Sequence, residues 1–286
     1  MSSNQNPDIR AISALLYAAT LWGVFWYPMR LLDEVGMDGL WATAVSFGAA
    51  SVFGLFRVQR SEWLCSPVAL WSMALATGWC NLAFVIAILD GPVVRAILLF
   101  YLSPIWSVLL GYLFLGERVG RRSLMVLGVA LIGAGIMLWS SETGSPWPAT
   151  RSDWFALSSG VAFSISNVLV RKLQHITVFA KTSASWVGAL VVSLVGIVVV
   201  DDPLPDVPSH IWVSAGTLGL ICLTTMTLAV QYGVTRLPLH RSAVILLFEL
   251  VAGTVSSILL ANELLSVREV VGGGLIILAA WWSSRR

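Results

Sequence analysis

Long uncharged apolar runs alternate with short polar breaks along the whole chain. Ten runs approach or exceed the ~20 residues a helix needs, at ~1.5 Å per residue, to cross ~30 Å of hydrocarbon. They fall at roughly 11–29, 37–56, 67–89, 93–115, 123–140, 153–170, 180–200, 211–233, 239–261 and 269–284. The breaks carry turn residues, among them Asp90-Gly91-Pro92, Gly116-Glu117-Arg118, Asp201-Asp202-Pro203 and Leu237-Pro238. The longest, 141–152 and 201–210, are too short for a separate module. The pattern predicts an all-α membrane protein of ten transmembrane helices, with its function inside the bundle.

Composition agrees. The 286 residues are 57% hydrophobic and 11% charged, with a mean hydropathy of +0.85, whereas soluble domains carry about 25% charge. A net charge of +2 with no basic run outside the apolar segments argues against nucleic acid. Cys65, Cys80 and Cys222 have no metal-ligand spacing and no disulfide pattern, so they read as packing residues. The first run is expected to be a retained span rather than a cleaved leader, being too long for a signal-peptide core. Counted by alternate loops with the N-terminus inside, thirteen of the 17 Lys and Arg residues lie on the inner side. That bias places both termini in the cytoplasm.

An internal repeat is legible. A shift of 146 residues brings Pro92 onto Pro238, Arg95 onto Arg241, Glu117 onto Glu263 and Gly128 onto Gly274. A weaker match sets Trp22 on Phe163 and Arg30 on Arg171. The repeat unit is five helices, giving halves at 1–145 and 146–286. An odd number of spans per unit turns the second half upside down relative to the first. Two inverted five-helix repeats are the architecture of secondary transporters that work by alternating access.

The motifs carry a family resemblance. Gln231-Tyr232-Gly233-Val234-Thr235-Arg236-Leu237-Pro238, Arg241-Ser242-Ala243, Leu247-Phe248-Glu249 and Asn262-Glu263 stand in the second half, and Leu102-Ser103-Pro104 and Leu115-Gly116-Glu117-Arg118 in the first. With these the chain resembles the drug/metabolite transporter superfamily, in particular its EamA-type ten-helix exporters. Asn81-Leu82-Ala83-Phe84 and Leu99-Phe100-Tyr101-Leu102-Ser103-Pro104 further resemble the YddG-type aromatic amino-acid exporters. The resemblance implies a multi-pass protein of the bacterial inner membrane that exports a small molecule and uses no cofactor. Relatives commonly carry Glu-Pro in the ninth span. Here Leu250 follows Glu249, which predicts a weaker kink there than at Pro104.

Candidate site residues follow from what lipid does not tolerate. Glu249 lies near mid-span, where a charge costs ~2.5–3.5 kcal/mol on insertion scales. It is either a proton- or substrate-amine-binding carboxylate or a structural group bonded between helices. Pro104 frees the Phe100 carbonyl and kinks the fourth span, making it a hinge or gate candidate and its freed carbonyl a partner for a substrate ammonium. Gly78 is the second hinge candidate. Asn81, Ser103, Asn167 and Thr225 are polar groups within spans, either bonding helix to helix or lining a polar cavity. Trp26, Trp79 and Trp186, with Tyr101, form a candidate aromatic wall, each indole N–H needing an acceptor. Glycine and alanine patterns such as Ala44/Gly48, Ala130/Ala134 and Gly272–Gly274 permit close contacts, within the bundle or in a homodimer.

The expected function is secondary export of small amphipathic metabolites, amino acids including aromatic ones first. Other drugs or metabolites are the alternative. Proton antiport and facilitated efflux both fit a single mid-span carboxylate. An intramembrane enzyme would need a nucleophile–base pair or metal ligands at depth, and none stands in the apolar runs. His175, His210 and His240 fall in loops or at helix ends.

Overall fold

A computed structural model describes residues 8–91, 93–138, 148–261 and 267–284. Its helices are α1 Ile9–Glu34, α2 Gly39–Arg57, α3 Arg60–Cys65, α4 Pro67–Asp90, α5 Val93–Phe100, α6 Ser103–Leu115 and α7 Arg121–Leu138. They continue with α8 Arg151–Lys172, α9 Val178–Val200, α10 Ser209–Leu218, a π-helical turn Gly219–Leu223, α11 Thr224–Arg236, α12 Leu239–Leu246, α13 Phe248–Ala261 and α14 Val267–Ser284. No strand occurs among the described residues.

Short polar breaks start and stop these helices by local chemistry. The Asp38 carboxylate accepts from the N–H groups of Leu40 (2.8 Å) and Trp41 (3.1 Å) at the start of α2. Thr150 and Asp153 form a reciprocal capping box on α8. Gly116 ends α6 in the left-handed conformation, φ 65°, a backbone state that a Cβ disfavours.

Among the described residues seven helices are long and apolar enough to cross a membrane, fewer than the ten apolar runs. The fourth run is split, leaving Ser103–Leu115 as a short apolar helix, and the described part of the last gives Val270–Ser283. The outer surface is apolar: Phe56 is 87% exposed and Val198 78%. Side chains so exposed suit hydrocarbon rather than water. The chain is a multi-span membrane protein.

Within the bundle, α4 lies between α8 and α9, α1 packs on α11 and α13, α2 on α9, and α7 on α14. Small residues set these crossings. A Cβ on Gly188 would stand 2.0 Å from the Ala74 carbonyl oxygen, so α4 and α9 touch backbone to backbone. Much of the small-residue pattern is used inside the bundle: Ala44, Ala130 and Ala134 are buried, and Gly133 faces the Gly272 carbonyl, while Gly274 is exposed.

Candidate functional site

Two helices are interrupted at positions 146 residues apart. Between α5 and α6, Tyr101 N–H still donates to the Ile97 carbonyl (2.9 Å), but Leu102 N–H turns to Leu99 (3.3 Å), and α6 restarts with Pro104 in its first turn. Proline cannot donate, so this is where the chain tolerates its ring. Between α12 and α13 the break is the single residue Leu247, whose N–H donates to Ala243 (3.3 Å) while Leu250 N–H returns to Leu247 (3.1 Å). The second interruption thus forms without proline and is one residue long rather than two.

Glu249 sits in the first turn of α13, just past the second break. Its carboxyl is hydrogen-bonded to the Tyr101 hydroxyl from the first break, and Cys80 of α4 lies within its electrostatic reach. Helix α1 meets the same spot from behind: a Cβ on Gly23 would stand 2.7 Å from the Glu249 carbonyl oxygen and 2.6 Å from the Ala252 Cβ. The carboxylate is therefore held where α1, α4, both breaks and α13 converge. Beside it runs an aromatic wall, with Phe100 against Phe84 (5.2 Å between centroids), Tyr101 (5.4 Å) and Phe163 (5.7 Å).

The other candidates are placed unevenly. Trp26 donates its indole N–H to the Ser256 hydroxyl (2.8 Å), which itself bonds to the Gly23 carbonyl (2.9 Å), two turns along α13 from Glu249. Asn81 donates to the Thr77 carbonyl one turn back (2.8 Å). Ser103 is buried and its carbonyl accepts from Ser164 (2.9 Å), fastening the first break to α8. Asn167 is buried on α8. Trp79 is half-exposed, its N–H on the Ser158 hydroxyl (3.3 Å) and its ring beside Phe155.

Four candidates stand apart from the Glu249 break. Trp186 is 0% exposed, its N–H satisfied by the Thr227 hydroxyl (2.7 Å), so it is packing with no surface for a ligand. Thr225 is exposed and returns its hydroxyl to the Ile221 carbonyl of its own helix (2.9 Å). Gly78 lies inside the unbroken α4, where a Cβ would stand 2.4 Å from the Gly188 carbonyl oxygen; it serves close packing rather than a hinge. The Phe100 carbonyl freed by Pro104 is turned onto α8, 2.8 Å from where a Gly160 Cβ would be, and is not presented to a ligand.

Sequence reasoning missed two polar groups. The first is a ladder across four helices: Thr77 and Ser166 hydroxyls at 2.8 Å, Thr77 to Ser185 at 3.4 Å, and Gln231 Nε2 to Ser185 at 3.1 Å. The second closes one end of the bundle. Arg171 donates to Glu117 (3.1 Å) and to the Thr235 carbonyl (2.8 Å), and the other Glu117 oxygen accepts the Leu239 N–H (3.0 Å) that opens α12. Lys181, counted above among loop charges, is 0% exposed and donates to the Val170 carbonyl (3.0 Å) and the Thr235 hydroxyl (2.7 Å). A lysine at the second position of the apolar run 180–200 was the signal. Cations thus meet the negative ends of α8 and α11, and a carboxylate meets the positive end of α12. Among the described residues Arg30, the match of Arg171, pairs with Glu34 on its own helix, both side chains more than half exposed.

The three cysteines are free, and no cluster of three metal-binding side chains occurs among the described residues.

Comparison with known proteins adds to this geometry. The profile of the EamA-like transporter family matches the chain twice, over residues 9–139 and 150–285. An uncharacterized transporter of Vibrio cholerae is 28% identical over 249 residues, 78% of this chain and 77% of its own length. An uncharacterized transporter of Archaeoglobus fulgidus is 24% identical over 278 residues, 94% of this chain and 95% of that protein. A probable terminal-alkyne amino-acid exporter of Streptantibioticus cattleyicolor is 24% identical over 194 residues, 63% of this chain and 62% of that protein. A solved crystal structure shares the fold, with a TM-score of 0.77 over 95% of this chain and 94% of that one, at 17% identity.

Proposed function

The chain belongs to the EamA-like transporter family, and on that premise we propose that it exports small amphipathic metabolites, amino acids including aromatic ones first, by alternating access. In this reading ten spans form two inverted five-helix halves, residues 1–145 and 146–286. They lie in a bacterial inner membrane with both termini in the cytoplasm. The observation that carries it is the paired helix interruption with Glu249 of one break bonded to Tyr101 of the other. Broken helices at the junction of inverted repeats are where transporters bind substrate.

The substrate ammonium meets Glu249, and an aromatic or aliphatic side chain lies on Phe84, Phe100 and Phe163. The start of α6 at Ser103 turns the positive end of a helix dipole toward the substrate carboxylate. Trp26, Asn81 and Asn167 flank this position, and Pro104 keeps the α5–α6 break in place as the gate moves. The YddG-type branch is supported by the contact of Phe84 with Phe100, one from each stretch that carries that resemblance. The amino-acid class is further supported by the likeness to the probable terminal-alkyne amino-acid exporter of Streptantibioticus cattleyicolor.

The Glu117–Arg171–Lys181–Thr235 network is the closed gate, at the end that the charge bias assigns to the cytoplasm. At the opposite end, among the described residues, Arg30 is tied to Glu34 of its own helix and the Arg151–Asp90 pair is long (3.9 Å) and exposed, which supports an outward-facing reading of this conformation.

The test is flux of labelled phenylalanine and alanine in proteoliposomes, with and without a pH gradient. Saturable flux that Glu249→Gln abolishes supports the reading, and a pH-gradient requirement assigns proton antiport. No flux of any amino acid rejects the substrate class and leaves the family's other metabolites to the same assay.

A further inference from the structure

Away from the helix breaks, one cleft gathers polar donors at an end of the bundle. It is lined by Arg122 and Ser123 at the start of α7, His240 and Arg241 at the start of α12, and Trp282 and Ser283 at the end of α14. The cleft is small and open to the surface, with a cavity volume of about 30 Å³. Neither arginine is ion-paired among the described residues. The His240 Nδ1 atom is buried without a hydrogen-bond partner. The carboxylate acting on His240 from nearby is Glu117, already engaged by Arg171 and the Leu239 N–H. The cleft holds cations and neutral donors and no free acid.

The repeat offers a comparison. The 146-residue shift carries Arg122 to Arg268 and Trp282 to Ile136. A second cleft lies there, at the opposite end of the α7–α14 pair, lined by Ile132, Gly135, Ile136 and Arg268. Helix packing thus forms a cleft at both ends, and among the described residues the second is lined by one arginine and no histidine, serine or tryptophan.

We propose that this cleft binds the phosphate of an anionic phospholipid from the adjoining leaflet. Two guanidinium groups suit phosphate oxygens, which they engage through paired N–H donors. Trp282 sits where an indole spans the boundary between headgroup and acyl chain. The neighbouring surface points to a lipid rather than free phosphate: Leu124 and Met125 on α7 and Ile277 and Leu278 on α14 are about half exposed and offer an apolar track for the chains. The positive-inside charge count places this end at the cytoplasmic leaflet.

The experiment measures phospholipid retained by the purified full-length protein, by native mass spectrometry. The probes are phosphatidylglycerol, phosphatidylcholine and inorganic phosphate. Arg122→Gln/Arg241→Gln is set against Arg118→Gln/Arg121→Gln, which removes the same charge outside the cleft. Wild type and the control pair retain phosphatidylglycerol over phosphatidylcholine, and the cleft variant holds it about tenfold more weakly. Arg241→Gln alone, for use if the double variant does not fold, weakens retention about threefold. Equal loss in the control pair would overturn the proposal in favour of a diffuse charge effect. Displacement by millimolar inorganic phosphate would overturn it in favour of a free-anion site. Because the readout is retention rather than flux, its failure and the failure of the transport reading are told apart.

Discussion

Glu117→Gln tests whether the polar closure at one bundle end is a gate. The carboxylate holds Arg171 at 3.1 Å and the first N–H of α12 at 3.0 Å, with Glu117 and Arg171 side chains 15% and 25% exposed. Glutamine keeps an oxygen for Leu239 but meets the guanidinium without charge. Removing one partner of a fully buried pair costs about 3–5 kcal/mol, and exposed pairs are worth about 0–1. At this partial exposure about 2 kcal/mol is lost. The loss falls on the closed conformation alone, since in the open one water solvates Arg171. At 1.4 kcal/mol per decade, that shifts the open-to-closed ratio roughly 30-fold. Ser242 in the first turn of α12 is 2% exposed when closed. A cysteine placed there, in a background with Cys65 and Cys222 changed to serine, reports opening through its rate of reaction with an impermeant maleimide. Glu117→Gln raises that rate about 30-fold, the population shift just worked out. Glu34→Gln, which breaks only the exposed pair with Arg30, changes it less than about twofold. An unchanged rate in Glu117→Gln, or an equal rise in Glu34→Gln, refutes the gate.

Three further outcomes follow from the same geometry. Glu249→Gln abolishes amino-acid flux while the melting temperature in detergent stays within a few degrees of wild type, whereas Tyr101→Phe keeps part of the flux because the carboxylate remains; both are read in proteoliposomes. Gly188→Ala forces a Cβ to 2.0 Å from the Ala74 carbonyl oxygen and lowers the thermal midpoint by the equivalent of about 3 kcal/mol or more, while Gly128→Ala, with open space at its Cβ, is neutral or stabilising by up to about 1 kcal/mol. Asp202, beside Asp38 at the loop ends of α9 and α2, has its pKa raised by burial and by the Asp38 charge and hydrogen bond. The charged form is then disfavoured in the folded state, so stability rises as pH falls through the raised value. Asp202→Asn is stabilising at pH 7, and its advantage vanishes below the ordinary aspartate value of 3.8, where both states bind the proton.

The apolar runs, helix ends and unusual residues were legible because their causes are local. Bilayer thickness sets the length of a run, Asp38 and Thr150 cap the helices they precede, and a proline or carboxylate inside an apolar run stands out at Pro104 and Glu249. Other features were hidden because their partners are remote in the chain. Lys181 reads as a loop charge until Val170 and Thr235 are seen to satisfy it. Trp186 reads as a cavity aromatic until Thr227 accepts its N–H. Gly78 reads as a hinge until Gly188 crosses it. The interruption at Leu247 has no proline to announce it.

By itself, then, the order of residues determined that the chain crosses lipid many times, that its halves repeat, and that one carboxylate stands alone at depth. Hydrocarbon penalises every unpaired polar group, and that penalty is written position by position. Which polar groups meet was decided only by the tertiary structure. Tyr101 and Glu249, or Glu117 and Arg171, come together through the crossing of helices far apart in the chain, and the contacts that set those crossings are made between segments rather than within them.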